Sequence, residues 1–171
     1  MKKDFIIITI IGFCMSLSVI GACAQVKSSS FNFALKLLLN SSTPTINISD
    51  AASGANNYLF LDAREYKEYK VSHIPNARYI GDKNFSLSRV ADIQKKQPVI
   101  VYCSIGKRSE TITMNLKKAG YTNVQNLYGG IFEWINQDHK VYNINKTLTD
   151  SVHAYSVFWG RWLEKGIKVY D

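Results

Sequence analysis

Pro98-Val99-Ile100-Val101-Tyr102-Cys103-Ser104-Ile105-Gly106-Lys107-Arg108-Ser109 opens on an apolar, β-branched run and ends on two cations and a hydroxyl. Residues 98–102 carry no charge, the pattern of a strand buried on both faces of a parallel sheet. From Ser109 to Ala119 the apolar residues Ile112, Leu116 and Ala119 fall at helical spacing, with Lys117-Lys118 outside and Gly120 as terminator. The order is therefore strand, loop, helix, with a cysteine at the strand's C-terminal end, the edge at which open α/β sheets build their sites.

The rest of the chain repeats this alternation. Short apolar runs at Tyr58–Leu61, Ala77–Ile80 and Val124–Tyr128 are separated by segments of helical patterning. The expected fold class is α/β, a parallel central sheet flanked by helices. A length of 171 residues, 46% hydrophobic and 20% charged, suits one domain with short appendages and excludes a disordered chain. The formal charge of +8 does not imply a nucleic-acid partner. Paired lysines at 95–96 and 117–118 read as solvated helix faces, with no basic and aromatic interleaving to form a groove. No Gly-rich dinucleotide or P-loop fingerprint is present, and His73, His139 and His153 have no ligand spacing with each other or with Cys103. No cofactor or metal is expected.

Residues 1–24 read as an export leader: Met1-Lys2-Lys3 is a basic start and Phe5–Ala22 is nearly all apolar or small. Its end has two readings. Ala22-Cys23-Ala24 before Gln25 is a small-x-small cleavage site, whereas Val19-Ile20-Gly21-Ala22-Cys23 resembles a bacterial lipobox, which makes Cys23 a lipidation site. Retention as a membrane anchor is a third reading, which about 18 apolar residues only just permit. The expected location is the periplasm, soluble or lipid-anchored to a bacterial membrane. Cys14 lies in the leader and Cys23 is removed or lipidated, so the mature domain keeps one thiol, Cys103. A lone thiol in an exported protein is either buried and inert or used. Residues 25–44 read as a Ser-rich linker with a short helical stretch, Phe31–Leu39, and the folded core is expected to start after Pro44.

The loop after Cys103 favours use. The thiolate is the reactive form, and a helix N-terminus with nearby Lys or Arg favours it. Successive amides of Ser104, Ile105 and Gly106 ahead of a helix form an anion cradle. Lys107 supplies positive potential to a substrate dianion. Arg108 either does the same or braces the loop through Asp62 or Glu65. The spacing Cys103 to Arg108 is C-x4-R, one residue shorter than the C-x5-R loop of cysteine phosphatases, and position 109 is serine. A cradle of that size suits a terminal sulfur atom better than a phosphoryl group.

At these residues the chain resembles the rhodanese family, from about Ile46 to Tyr142. Asp62-Ala63-Arg64-Glu65 is similar to its D-x-R-E segment. His73-Ile74-Pro75-Asn76-Ala77 resembles G-H-I-P-G-A, with Ser72 and Asn76 at the glycine positions. Tyr102–Ser109 resembles the Y-C-x-x-G-x-R-S loop, and Leu127-Tyr128-Gly129-Gly130-Ile131 with Trp134 resembles L-x-G-G-I-x-x-W. The resemblance implies a rhodanese-like domain over residues 45–142, a persulfide on catalytic Cys103, and sulfur transfer from a small anionic donor such as thiosulfate to a thiol or cyanide. Asp62 and Arg64 are expected to support the site structurally, and His73 to fix a turn. A persulfide carrier or protein-binding module using the same cysteine is the alternative; a non-catalytic scaffold is disfavoured by the retained thiol. Residues 143–171 lie outside the resemblance. Val152, Tyr155, Phe158 or Trp159, and Trp162 recur every three to four residues, so Ser151–Lys165 is expected to form an aromatic-rich amphipathic helix that packs on the domain or serves as a lid or partner-binding element.

Overall fold

In the computed structural model, residues 26–171 are described; the leader, Cys14 and Cys23 lie outside them. The elements run α1 (Ser29–Leu38), β1 (Thr45–Ile46), α2 (Ile48–Ser53), β2 (Leu59–Asp62), α3 (Tyr66–Val71), β3 (Arg78–Tyr79), β4 (Val99–Tyr102), α4 (Lys107–Lys118), β5 (Val124–Leu127) and α5 (Gly130–Asn136). After these come β6 (Val141–Tyr142), β7 (Leu148–Thr149), β8 (Ser151–His153), α6 (Val157–Gly160) and β9 (Ile167–Val169). The first five strands pair in the order β1-β5-β4-β2-β3, every pairing parallel. Strand β4 is the centre, and all four of its residues are buried. Ile100 and Tyr102 pack into one apolar layer with Phe60, Leu127 and Phe132, and Val99 and Val101 into the other with Leu61, Ile112 and Leu116. Burial of each such aliphatic side chain contributes about 1.5–3 kcal/mol, so a strand dressed on both faces fixes the sheet centre.

Helix α4 starts two residues earlier than the spacing predicts and stops where expected. Gly120, at φ +90°, follows the cap Ala119. Its N–H donates to the Lys117 carbonyl and that of Tyr121 to the Leu116 carbonyl, the paired bonds of a Schellman motif. Asn76, in place of a glycine in the family pattern, takes φ +60°, which asparagine tolerates better than most residues.

Two sequence expectations are corrected. Residues 26–44 are not a linker ahead of the core. The Ser28 hydroxyl caps α1 by accepting the Phe31 N–H, and Val26, Phe31 and Leu35 are fully buried, Phe31 stacked on Trp162 at 5.1 Å. A serine run reads as spacer by composition, but a serine hydroxyl just ahead of an apolar i, i+4 pair is also a helix start. Nor is Ser151–Lys165 one helix. Val152 lies in β8, which pairs in parallel with β9, and Tyr155 takes φ +64°, which breaks any helix there. Only the single turn α6 forms, capped by Ser156. Aromatic spacing of three to four residues arose here from a strand, a turn and a short helix in succession.

Asp62 and Arg64 are both fully buried and paired: Arg64 Nη2 lies 2.6 Å from Asp62 Oδ2 and Nε 2.9 Å from Oδ1. Arg64 Nη2 also donates to the Ser72 carbonyl at 2.6 Å, just before His73, whose backbone exchanges hydrogen bonds with Tyr142. Arg64 thus ties the end of β2 to Ser72, and the next residue, His73, is bridged to Tyr142 of β6. Removing one partner strands a buried charge. Arg64→Leu should lower the unfolding free energy by about 3–5 kcal/mol, read from urea denaturation, whereas the double change Asp62→Asn with Arg64→Leu should recover part of the loss; an Arg64→Leu midpoint equal to wild type would contradict this.

Candidate active site

Cys103 follows β4 directly and is 1% exposed, the free cysteine among the described residues. The chain then turns at Gly106, whose φ of +107° belongs to glycine. A Cβ there would sit 3.3 Å from the Leu127 carbonyl and 3.5 Å from Asn126 Nδ2. The turn brings the Gly106 N–H to 3.2 Å from Cys103 Sγ. Asn126, buried on β5, fixes both ends of the turn: its Nδ2 donates to the Gly106 carbonyl at 2.9 Å and its Oδ1 accepts from Ser109 Oγ at 2.7 Å.

The other side of the loop is held by α5. The Ile131 N–H donates to the Cys103 carbonyl at 2.9 Å and the Phe132 N–H to the Ser104 carbonyl at 3.1 Å. Across planar trans peptides the N–H groups of Ser104 and Ile105 point opposite to those carbonyls, away from α5. The first amides of α4, from Lys107 onward, have no acceptor within their helix. The loop therefore presents donors on the side that α5 does not occupy. Gly130 permits the contact, because a Cβ on it would lie 2.4 Å from the Cys103 carbonyl oxygen.

Arg108 braces the loop, and its partner is Glu68 rather than Asp62 or Glu65. Nη1 and Nη2 bind the Glu68 carboxylate at 2.6 and 2.8 Å, and Nη2 also reaches Ser104 Oγ at 2.9 Å. Glu68 is itself fixed as the third residue of α3, accepting the Glu65 N–H at 2.9 Å in a capping box. Burial opposes both charges. The Glu68 hydrogen bonds and the nearby Cys103 and Glu68 charges nevertheless raise the Arg108 pKa, and Arg108 with Arg64 holds Glu68 below the ordinary glutamate range. Lys107 does not offer a free ammonium. Its Nζ lies 2.8 Å from Glu110 Oε2 and 3.0 Å from the Leu38 carbonyl.

Above Cys103 is a cavity of about 130 Å³ lined by Ser104, Ile105, Lys107 and Arg108 of the loop, Leu38 of α1, and Tyr155 and Trp159 of the C-terminal segment. Of the loop residues expected at the site, Cys103, Ser104, Ile105, Lys107 and Arg108 line this cavity; Gly106, Asp62 and Arg64 are not among its walls. Glu68, Asn126, Gly130, Tyr155 and Trp159 were not foreseen as site residues. The Glu65-x-x-Glu68 pattern, a polar residue inside the run Val124–Tyr128, and the second glycine of Gly129-Gly130 were visible signals for the first three.

The rhodanese-like domain model matches residues 47–137, over half of the chain. The chain belongs to the rhodanese-like domain family. Among curated proteins it is 36% identical over 90 residues to the adenylyltransferase and sulfurtransferase UBA4 of Candida glabrata, covering 47% of this chain and 21% of that one. It is 31% identical over 97 residues to the tRNA uridine(34) hydroxylase of Wigglesworthia glossinidia brevipalpis, covering 54% and 31%. The chain thus spans between a fifth and a third of these relatives. A rhodanese-related protein of Thermoplasma volcanium superposes with a TM-score of 0.50 at 25% identity over 57% of this chain and 96% of that one. The thiosulfate sulfurtransferase of Pseudomonas aeruginosa shares the fold, with a TM-score of 0.56 at 24% identity over 67% and 23%. The C-terminal segment that supplies Tyr155 and Trp159 lies beyond the matched residues.

The Glu68–Arg108 pair gives stability a pH dependence. Because the folded carboxyl titrates below its ordinary value of 4.5, the pair's contribution is complete above that pH and is lost as pH falls through the lower folded value. Acid titration of folding should show Glu68→Gln less stable than wild type at neutral pH and with a shallower acid limb; parallel curves would show that Glu68 does not carry this dependence.

Proposed function

We propose that this protein is a sulfurtransferase that moves sulfane sulfur from thiosulfate or a similar small anionic donor to a thiophilic acceptor through a persulfide on Cys103. The observation that carries the reading is Cys103 Sγ at the base of a small cavity, receiving the Gly106 N–H within a loop of outward amides at the start of α4. The Cys103 thiolate attacks the outer sulfur of thiosulfate. The sulfur–sulfur bond of the donor breaks, and sulfite leaves with the bonding electron pair. The terminal sulfur of the persulfide then lies where the loop amides point. Cyanide or a thiolate attacks that sulfur and restores the Cys103 thiolate, giving thiocyanate or a new persulfide. Membership of a family whose relatives include named sulfurtransferases agrees with this chemistry.

Intact mass before and after thiosulfate is the test. Wild type should gain one sulfur atom that cyanide removes, with multiple turnovers, and Cys103→Ser should neither gain sulfur nor turn over while its circular dichroism is unchanged. Loading without turnover would favour a persulfide carrier; loading of Cys103→Ser at the wild-type level would sink the reading.

We further propose that residues 1–24 direct export, from the basic start and apolar run ahead of Cys23. Protein recovered from the cell envelope should begin at Cys23 with acyl mass or at Gln25 without it, and Cys23→Ser should abolish membrane fractionation only in the first case. An uncleaved Met1 terminus in the cytoplasmic fraction would overturn export.

A further inference from the structure

Tyr155 stands at the boundary of two cavities. One is the cavity of about 130 Å³ above Cys103. The other is a wider, charged chamber of about 560 Å³ whose walls include Glu65, Lys67, Asp82 and Lys83. Besides Tyr155, the two share only Arg108 as a lining residue. Arg108 is held by two bonds to Glu68 and one to Ser104. The Tyr155 ring faces the Arg108 guanidinium at 4.8 Å and is half exposed. It is the removable part of the partition.

The backbone shows how much structure is committed to placing that ring. Tyr155 has φ +64°, a conformation that bulky residues rarely adopt and that persists only when the surroundings impose it. Here they do. The Tyr155 N–H donates to His153 Nδ1 at 3.1 Å, so the proton of His153 is on Nε2, which faces Asp171 Oδ1 at 3.1 Å. Asp171 also pairs with Lys67 of α3. Ala154, next to Tyr155, donates its N–H to the Val169 carbonyl of β9. The pairing of β8 with β9 and the Asp171 contacts with His153 and Lys67 together hold the turn in place.

We propose that Tyr155 is the residue that sets the size of the molecule able to reach Cys103. Its ring stands between the sulfur cavity and the charged chamber and narrows the approach to Cys103, so the acceptor is a slim nucleophile of few atoms, inorganic or a short unbranched thiol, and thiols with a bulky body are kept out. This rests on Cys103 being the reacting sulfur, as proposed above, but thiol access can be read without any sulfur transfer.

The test compares alkylation of Cys103 in the full chain by iodoacetamide and by iodoacetamidofluorescein, the same electrophile with and without bulk, followed by mass analysis of the Cys103 peptide. Wild type should strongly favour the small reagent. Tyr155→Gly removes the ring and suits the positive φ, and should reduce that preference by about tenfold or more, while Tyr155→Phe, which keeps the ring, should preserve it. Tyr155→Ser serves the same comparison if the glycine variant does not fold. A preference unchanged by loss of the ring, or changed equally by Tyr155→Phe, would overturn the proposal. Absent sulfur transfer together with a shifted alkylation preference would sink the proposed function and leave the size barrier standing.

Discussion

The loop after Cys103 can work only if its carbonyls are occupied elsewhere, and the close approach of α5 achieves this. Each peptide that points an N–H toward a bound anion points its carbonyl the other way, into the protein, where an unpaired acceptor would be costly. The N–H groups of Ile131 and Phe132 donate to the carbonyls of Cys103 and Ser104. They come near enough because Gly130 has no Cβ and takes φ +57°. A change of fold elsewhere that moved α5 outward by the width of a methyl group would release both carbonyls and, with them, the orientation of the amides.

The opposite side of the loop is held by charge rather than by backbone. Glu68 receives Arg108 and Ser104 while its own position is set by the capping box of α3. Glu110 receives Lys107, and the Asn40 N–H as well, which ties the start of α4 to the segment between α1 and β1. Buried ion pairs contribute little net stability against an apolar alternative, but they are unforgiving about geometry. Here that property matters more than the energy, because three chain segments distant in sequence converge on six residues.

The sheet was legible because it depends on local pattern. Val99–Tyr102 can be dressed on both faces only at a sheet centre, and Gly120 stops α4 by a mechanism confined to a few residues. The position of Cys103, the turn at Gly106 and the bracing by Arg108 were legible for the same reason. What was hidden depends on contacts across long sequence separations. The partner of Arg108 is 40 residues away, and neither Asp62 nor Glu65 is less plausible than Glu68 until α3 is placed against α4. The C-terminal segment misled because an aromatic period of three to four residues says nothing about whether Val152 prefers a strand partner, and β9 supplies one, Lys168, 16 residues later. The Ser28–Ser30 run misled because composition cannot distinguish a spacer from a capped helix whose Phe31 is destined for Trp162.

The charge balance of the loop bears on how an anion would be recognised. A basic chain with two cations beside its cysteine suggests attraction by side-chain charge, yet Lys107 and Arg108 are each already bound to a largely buried carboxylate. Their fields at the cavity are offset by Glu110 and Glu68 only a few ångströms behind. The uncompensated positive potential then comes mainly from peptide N–H groups, those of the loop and the first turn of α4, whose effect falls away within about one helical turn. Such a site discriminates by shape and by the direction of lone pairs, and draws little help from long-range steering. That places the burden of selection on the apolar or aromatic walls: Ile105 of the loop itself, and Leu38, Tyr155 and Trp159, which arrive from either side of the matched segment. The matched family segment builds the loop around Cys103, and Leu38, Tyr155 and Trp159, from either side of that segment, complete the walls of the cavity.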